Sequence, residues 1–180
     1  MRQFLPLGLL LLLLFISCFG CESDLTTGEV ISAEENAPDT TPEDEVSGGI
    51  TPFANAALTL VNNVRSTGCD CGNQRMPPVG ALALHPQLTV AAQAHSEDQA
   101  RMQQMQHAGS DGSSVGTRVT RAGFTWRSVG ENVAWNYPDV EAVVAAWLSS
   151  PGHCTNIMNA NYQYMGMGEE DLYWTQVFAR

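Results

Sequence analysis

Few side chains in this chain can do ligand or acid–base chemistry near neutral pH, and the four histidines, at positions 85, 95, 107 and 153, come first. His153 stands in SSPGHCTN, after Pro151-Gly152 and before Cys154. Placed there, an imidazole can be a metal ligand, a base, or a polar residue at the start of a short helix. His107 closes a helical stretch in MQHAGSDG, where its ring can open outward. Glu131 lies in VGENVAW, a carboxylate within an otherwise apolar run. Burying it costs several kcal/mol unless a donor or a charge meets it, so it is either a functional acid or a structural acceptor. His95 shares the apolar side of its helix with Ala91, Ala92 and Met102, which predicts a satisfied core histidine. His85 precedes Pro86 and reads as a capping or surface residue. No HExxH pair and no serine elbow is present. Ser150 is three residues before His153, a spacing that does not by itself make a nucleophile–base pair.

Five cysteines accompany them, at 18, 21, 69, 71 and 154. Cys18 and Cys21 follow the N-terminal apolar run; the other three leave an odd number for an oxidising compartment. A bridge from the Cys69-Asp70-Cys71 stretch to Cys154 would fix the backbone beside His153. By loop length it would contribute on the order of 4 kcal/mol. A zinc site built from the three thiolates is the rival reading, and the one-residue spacing between Cys69 and Cys71 speaks against it.

The elements that must position these residues follow from periodicity. Pro52–Arg65 carries Phe53, Ala57, Leu60, Val61 and Val64 at helical spacing, with Thr51 as N-cap and Pro52 at the first helical position. The stretch STGCDCGNQRMPPVGA reads as loop. A second helix starts near Pro86, stops before Gly109, and places Leu88, Ala91, Ala92, His95, Met102 and Met105 on one side. A loop and a short helix end at Gly123. Val129–Trp135 predicts a strand with Val129, Glu131 and Val133 on one face. Asp139–Leu148 is an apolar helix with Val140, Val143, Val144 and Trp147. Tyr162–Gly168 and Leu172–Ala179 are strand candidates joined tightly through Gly-Glu-Glu-Asp. Helices followed by a small antiparallel sheet define an α+β domain.

The N-terminal part differs in kind. Residues 1–17 carry one charge, Arg2, and then the run LPLGLLLLLLFIS, which predicts a secretory signal. Phe-Ile-Ser before Cys18 has the pattern of a lipoprotein cleavage site, with Cys18 as the lipidated residue and Cys21 as the alternative. Such a protein is exported and tethered to a membrane surface. Nine of the nineteen acidic residues fall between Glu22 and Glu45, with no basic residue among them. Residues 18–50 therefore read as an acidic, disordered spacer before a domain at 51–180. The net charge of −11 belongs mostly to that spacer. Beyond Ile50, ten acidic residues face seven arginines and no lysine, a balance of −3 that argues against a nucleic-acid partner.

Taken in order, NNVRSTGC, HPQLTVAAQAHSEDQARM with His107, SDGSSVGTRVTRAGF, GENVAW, AVVAAWLSSPGHCTNIMN, YMGMG and YWTQVFA resemble the CAP superfamily, or SCP domain, over about Leu58–Phe178. The resemblance implies an α-β-α sandwich with a three-stranded antiparallel sheet flanked by helices. It also implies a cleft lined by two histidines and two acids, in which a zinc-like divalent cation can sit. On that pattern His107 and His153 are the histidines and Glu131 in GEN the first acid. Three residues after Trp147, where the second acid is expected, stands Ser150. The cation would then be held by His107, His153 and Glu131, directly or through water. The resemblance further implies that Cys71, which precedes a glycine, pairs with Cys154, with Cys69 as the alternative.

Activity is not uniform in that superfamily, so the fold predicts a site and not a reaction. The first expectation is a cell-surface module that binds a small lipid or protein ligand, with no catalysis. The alternatives are a metal-dependent hydrolase using Glu131 as base and a purely structural extracellular domain.

Overall fold

The computed structural model describes residues 49–180, and the expectations for the signal peptide, for Cys18 and Cys21 and for nearly all of the spacer lie outside the described residues. Five helices and six strands follow in the order α1 (Pro52–Thr67), β1 (Cys69–Cys71), β2 (Gln74–Met76), β3 (Ala83–Leu84), α2 (Pro86–Met102), α3 (Val115–Arg121), β4 (Val129–Trp135), α4 (Val140–Ser149), α5 (Pro151–Ile157), β5 (Tyr164–Glu170) and β6 (Tyr173–Ala179). Their starts are chemically specified. The Thr51 hydroxyl accepts from the Ala54 N–H at 3.3 Å, and Asp139 Oδ1 accepts from the Ala142 N–H at 2.8 Å. Both bonds satisfy amide groups that the first helical turn leaves without partners.

The main sheet has the order β3-β5-β6-β4. Its β5-β6-β4 part is the expected three-stranded antiparallel unit, and β4 is an edge. A short fourth strand, β3, adds in parallel beside β5. The helices cover both faces. Met165, Met167, Trp174 and Phe178 pack with α1, α4 and α5, whereas Val177 and Ala179 pack with Leu88, Ala91 and Ala92 of α2 and Val119 of α3. The fold is therefore α+β, with the sheet between two helical layers.

Three local expectations are corrected. Residues 69–76, read as loop, form the β1–β2 hairpin around Gly72-Asn73, with Gly72 at φ 63°. Its three-residue strands are too short to show a period. Helix α2 ends at Met102 because Gln103 takes the left-handed conformation, φ 52°, so Met105 leaves the helix and is 49% exposed. The β5–β6 connection is the two-residue turn Asp171-Leu172, both at positive φ, with Glu169 and Glu170 still in the strand. Positive φ at both central positions is the turn whose twist matches that of the flanking strands.

Helix α2 packs tightly against β5 at two glycines. A Cβ added at Gly166 would run into backbone atoms of Leu88 and Thr89, and one at Gly168 into the backbone of Gln93. Neither neighbour can swing aside as a side chain would. Gly166→Ala is expected to cost about 3 kcal/mol, the upper part of the usual range for overpacking, read as a shift in the urea midpoint at unchanged slope.

Candidate functional site

Glu131 is buried on β4, its side chain 3% exposed, and both of its oxygens are engaged. Oε2 accepts from Arg118 Nη2 at 2.6 Å, and Oε1 lies 2.9 Å from Nδ1 of His107. A carboxylate only accepts, so the His107 nitrogen facing it carries the proton. His107, whose side chain is 63% exposed, is thus held by one nitrogen while Nε2 remains available. The hydrogen bond to Glu131 raises the His107 pKa above its ordinary value, against the opposing effect of burial.

Arg118 is the residue that the sequence did not single out. It is 8% exposed, donates through Nη1 to the Ser113 carbonyl at 2.8 Å, and donates through Nη2 to the His107 carbonyl at 3.1 Å as well as to Glu131. One guanidinium therefore fixes the carboxylate, the backbone of His107 and the loop before α3. The signal for it existed. With Val115, Val119 and Ala122, Arg118 occupies the i, i+3, i+4, i+7 stripe of α3 that faces the core. A charge on such a stripe requires a buried partner, and Glu131 supplies it.

His95 is fully buried beneath the site, with Nε2 2.9 Å from the Gln106 carbonyl and 3.9 Å from Glu131 Oε1. Burial lowers its pKa, which keeps the ring neutral; the ring is in the core as expected but only half satisfied, since Nδ1 has no hydrogen-bond partner among the described residues. His85 is not a capping side chain. It forms no cap hydrogen bond and packs edge-on between Phe124 and Tyr164, with centroids 4.7 and 5.3 Å away.

His153 stands on α5, on the layer opposite α2, and its carbonyl is bonded to Asn132 of β4. Three side-chain amides dock α5 there. Asn156 Nδ2 donates to the Glu131 carbonyl at 3.1 Å and to Asn132 Oδ1 at 3.0 Å. Asn132 Nδ2 donates to the His153 carbonyl at 3.3 Å and to Gln176 Oε1 at 3.1 Å. These bonds join α5 to β4 and fix the His153 backbone. Burial lowers the His153 pKa, and the charge of His107 lowers it further.

Not every expected residue converges equally. His107 and Glu131 line a cavity of about 350 Å³ with Ala108, Gly112, Ser113 and Val115, and His153 is outside that lining. Ser150 is the shared residue between α4 and α5 and makes no side-chain capping bond. Among the described residues, the one group of three metal-type donor atoms within 4.8 Å of one another is Cys69, Cys71 and Cys154. Two of these are spent in a disulfide. Cys71 and Cys154 are bridged, with Cα atoms 5.4 Å apart, and Cys69 is free. The bridge ties the β1–β2 hairpin to α5 one residue after His153.

Comparison with known proteins follows the same line. The model of the cysteine-rich secretory protein (CAP) family matches residues 58–178, and the chain belongs to that family. The uncharacterized protein YkwD of Bacillus subtilis is 28% identical over 156 residues, covering 84% of this chain and 60% of that protein. The uncharacterized membrane protein YlbC of the same organism is 34% identical over 86 residues, 48% of this chain and 25% of that one. The chain thus spans less than two thirds of the length of these relatives. Among solved structures, an extracellular SCP-domain protein of Bacillus anthracis superposes with TM-score 0.58 at 25% identity, covering 74% of this chain and 45% of its own. An outer surface protein of Borrelia burgdorferi gives TM-score 0.62 at 15% identity, covering 73% and 95%, which shows the shared fold.

Proposed function

We propose that this protein is an exported, surface-tethered binding module whose cleft takes a zinc-like divalent cation on His107 and His153. The observation that carries the reading is the hydrogen bond from His107 Nδ1–H to the buried Glu131 carboxylate. A histidine whose one nitrogen is fixed by a carboxylate presents the other as an oriented, more basic ligand. In this reading His107 and His153 supply the nitrogen ligands. Glu131 is assigned to orienting His107, since each of its oxygens already accepts a hydrogen bond and its side chain is 3% exposed. A site with two imidazoles keeps open positions for a ligand or water.

Export is supported by the apolar N-terminal run and by relatives described as extracellular or outer-surface proteins. Tethering through a lipid on Cys18 rests on the Phe-Ile-Ser-Cys pattern. The ligand class in this reading is a small lipid or a protein presented at the same surface. Hydrolysis is the weaker reading, since a base must be free to accept a proton from water. Glu131 is committed on one side to Arg118 and on the other to His107.

Calorimetric titration with zinc tests the cleft. The parent chain is expected to bind near neutral pH, and His153→Ala to abolish binding with little loss of stability; His107→Ala should abolish it too, at a cost of about 1–3 kcal/mol from the hydrogen bond that the buried Glu131 loses. Ser150→Glu is expected to tighten it by adding an acid beside the cation. The pH dependence has a defined sign. Imidazole ligates when neutral, and His107 gains its proton above the ordinary histidine range, so affinity should begin to fall above about pH 6.5 as the solution is acidified. His153 holds off its proton to lower pH, so the fall should steepen from one proton to two. Unchanged zinc binding in both histidine variants would remove the reading.

A further inference from the structure

Cys69 is a free thiol beside a disulfide. Its Sγ lies 3.6 Å from Sγ of Cys154 and 4.0 Å from Sγ of Cys71. The cause is strand geometry. Residues two apart on β1 project to the same face, so Cys69 and Cys71 both look at α5 while Asp70 between them is exposed. The hairpin thus offers Cys154 two sulfurs. We propose that the cluster is a thiol–disulfide exchange site in which Cys154 alternates between Cys71 and Cys69.

The step balances within the molecule. Cys69 loses its proton, and its Sγ, which stands beside the bridge at 3.6 Å from Cys154 and 4.0 Å from Cys71, comes into line with it as β1 shifts against α5. The thiolate attacks Sγ of Cys154, the Cys69–Cys154 bond forms as the Cys71–Cys154 bond breaks, and Cys71 leaves as a thiolate that takes up a proton. One thiol and one disulfide exist before and after, so no oxidant or reductant enters.

Loop entropy scarcely distinguishes the two isomers, since the separations are 83 residues for the Cys71 bridge and 85 for the Cys69 bridge. Exposure does distinguish them. Cys71 is 3% exposed and Cys69 is half-buried, so the resting isomer leaves the more accessible sulfur as the thiol. Burial also pushes the Cys69 thiol up, with Arg75 opposing and Asp70 adding to the shift, which holds the exchange slow near neutral pH. Either isomer keeps α5, and with it His153, tied to the same hairpin. Exchange therefore lets the thiol move between two positions without releasing the site.

The test uses the full chain recovered after export, with peptides carrying Cys18 and Cys21 resolved in the same map. Free thiols are pulse-labelled after incubation at pH 8, quenched in acid, and assigned by non-reducing peptide mapping. Label is expected on Cys69 at first, with a share on Cys71 that grows with time. Cys71→Ser, held in the glutathione buffer in which the parent is fully bridged, is expected to lose both remaining thiols to a Cys69–Cys154 bridge. Cys69→Ser should retain the Cys71–Cys154 bridge and show no time-dependent labelling. A Cys71 that stays unlabelled through a day at pH 8 overturns the proposal. So does a folded Cys71→Ser chain, checked by circular dichroism, that keeps Cys69 and Cys154 free. Should Cys71→Ser not fold, the labelling of the parent decides.

Discussion

Replacing Arg118 by methionine is expected to lower the stability of the domain by about 3–5 kcal/mol, the usual consequence of leaving one partner of a buried ion pair uncompensated. The guanidinium meets Glu131 at 2.6 Å on a strand where the carboxylate is 3% exposed, so water cannot take its place without opening β4 from α3. Two backbone carbonyls, of Ser113 and His107, lose their donor in the same substitution. Methionine keeps most of the volume, which separates loss of charge from loss of packing. Equilibrium urea unfolding measures the change. Adding Glu131→Gln to Arg118→Met should recover part of the loss, because the second substitution removes the stranded charge. A loss below about 1 kcal/mol in the single variant, the range of exposed ion pairs, would show that the pair is effectively solvated.

Removing the sulfur of Cys154 is the second large effect. Cys154→Ser leaves neither Cys69 nor Cys71 a partner, and the 83-residue loop opens in the unfolded chain. By loop length the cost is about 4 kcal/mol, less whatever strain the bridge holds. The domain should remain folded near room temperature but melt well below the parent, and a reducing agent should bring the parent down to the same midpoint. The effect should also reach function, since α5 would lose its tie to the hairpin one residue from His153 and keep only its packing and the Asn132, Asn156 and Arg65 bonds. A midpoint in Cys154→Ser equal to that of the oxidised parent would show that the hairpin and α5 are held by packing without help from the bridge.

The parts of this fold that were legible are those with a period. Val129–Trp135 reads as a strand with Glu131 on the face of Val129 and Val133, and the structure places it so, with the carboxylate turned toward α3. The apolar helices α1 and α4 follow from spacing, and the start of α1 also from the Thr51 cap. What was not legible depended on distant partners. Arg65 continues the row of Ala54, Ala57 and Val61 on α1 and is fully buried, with Nη1 bonded to the Ile157 carbonyl at 2.6 Å and Nε to the Gly80 carbonyl at 2.8 Å. Nothing local announces acceptors 92 residues away. Arg118 belongs to the same kind, although its place on the apolar stripe of α3, read beside a lone carboxylate in β4, was enough to pair the two. The His107–Glu131 contact answers the question that a carboxylate in an apolar strand raises. The docking of α5 on β4 rests on the amides of Asn132 and Asn156, whose types are too common to signal such a role.

The central claim is that His107 and His153, entering from opposite layers of the sandwich, share one cation at the edge of β4. Its most direct test is a crystal of the full exported chain soaked in zinc, with diffraction recorded on both sides of the zinc absorption edge. The account predicts one anomalous peak about 2.0–2.1 Å from an imidazole nitrogen of each histidine, with Glu131 still bonded to His107 Nδ1 and Arg118. A peak on the Cys69, Cys71 and Cys154 sulfurs, or on only one of the two histidines, would contradict it.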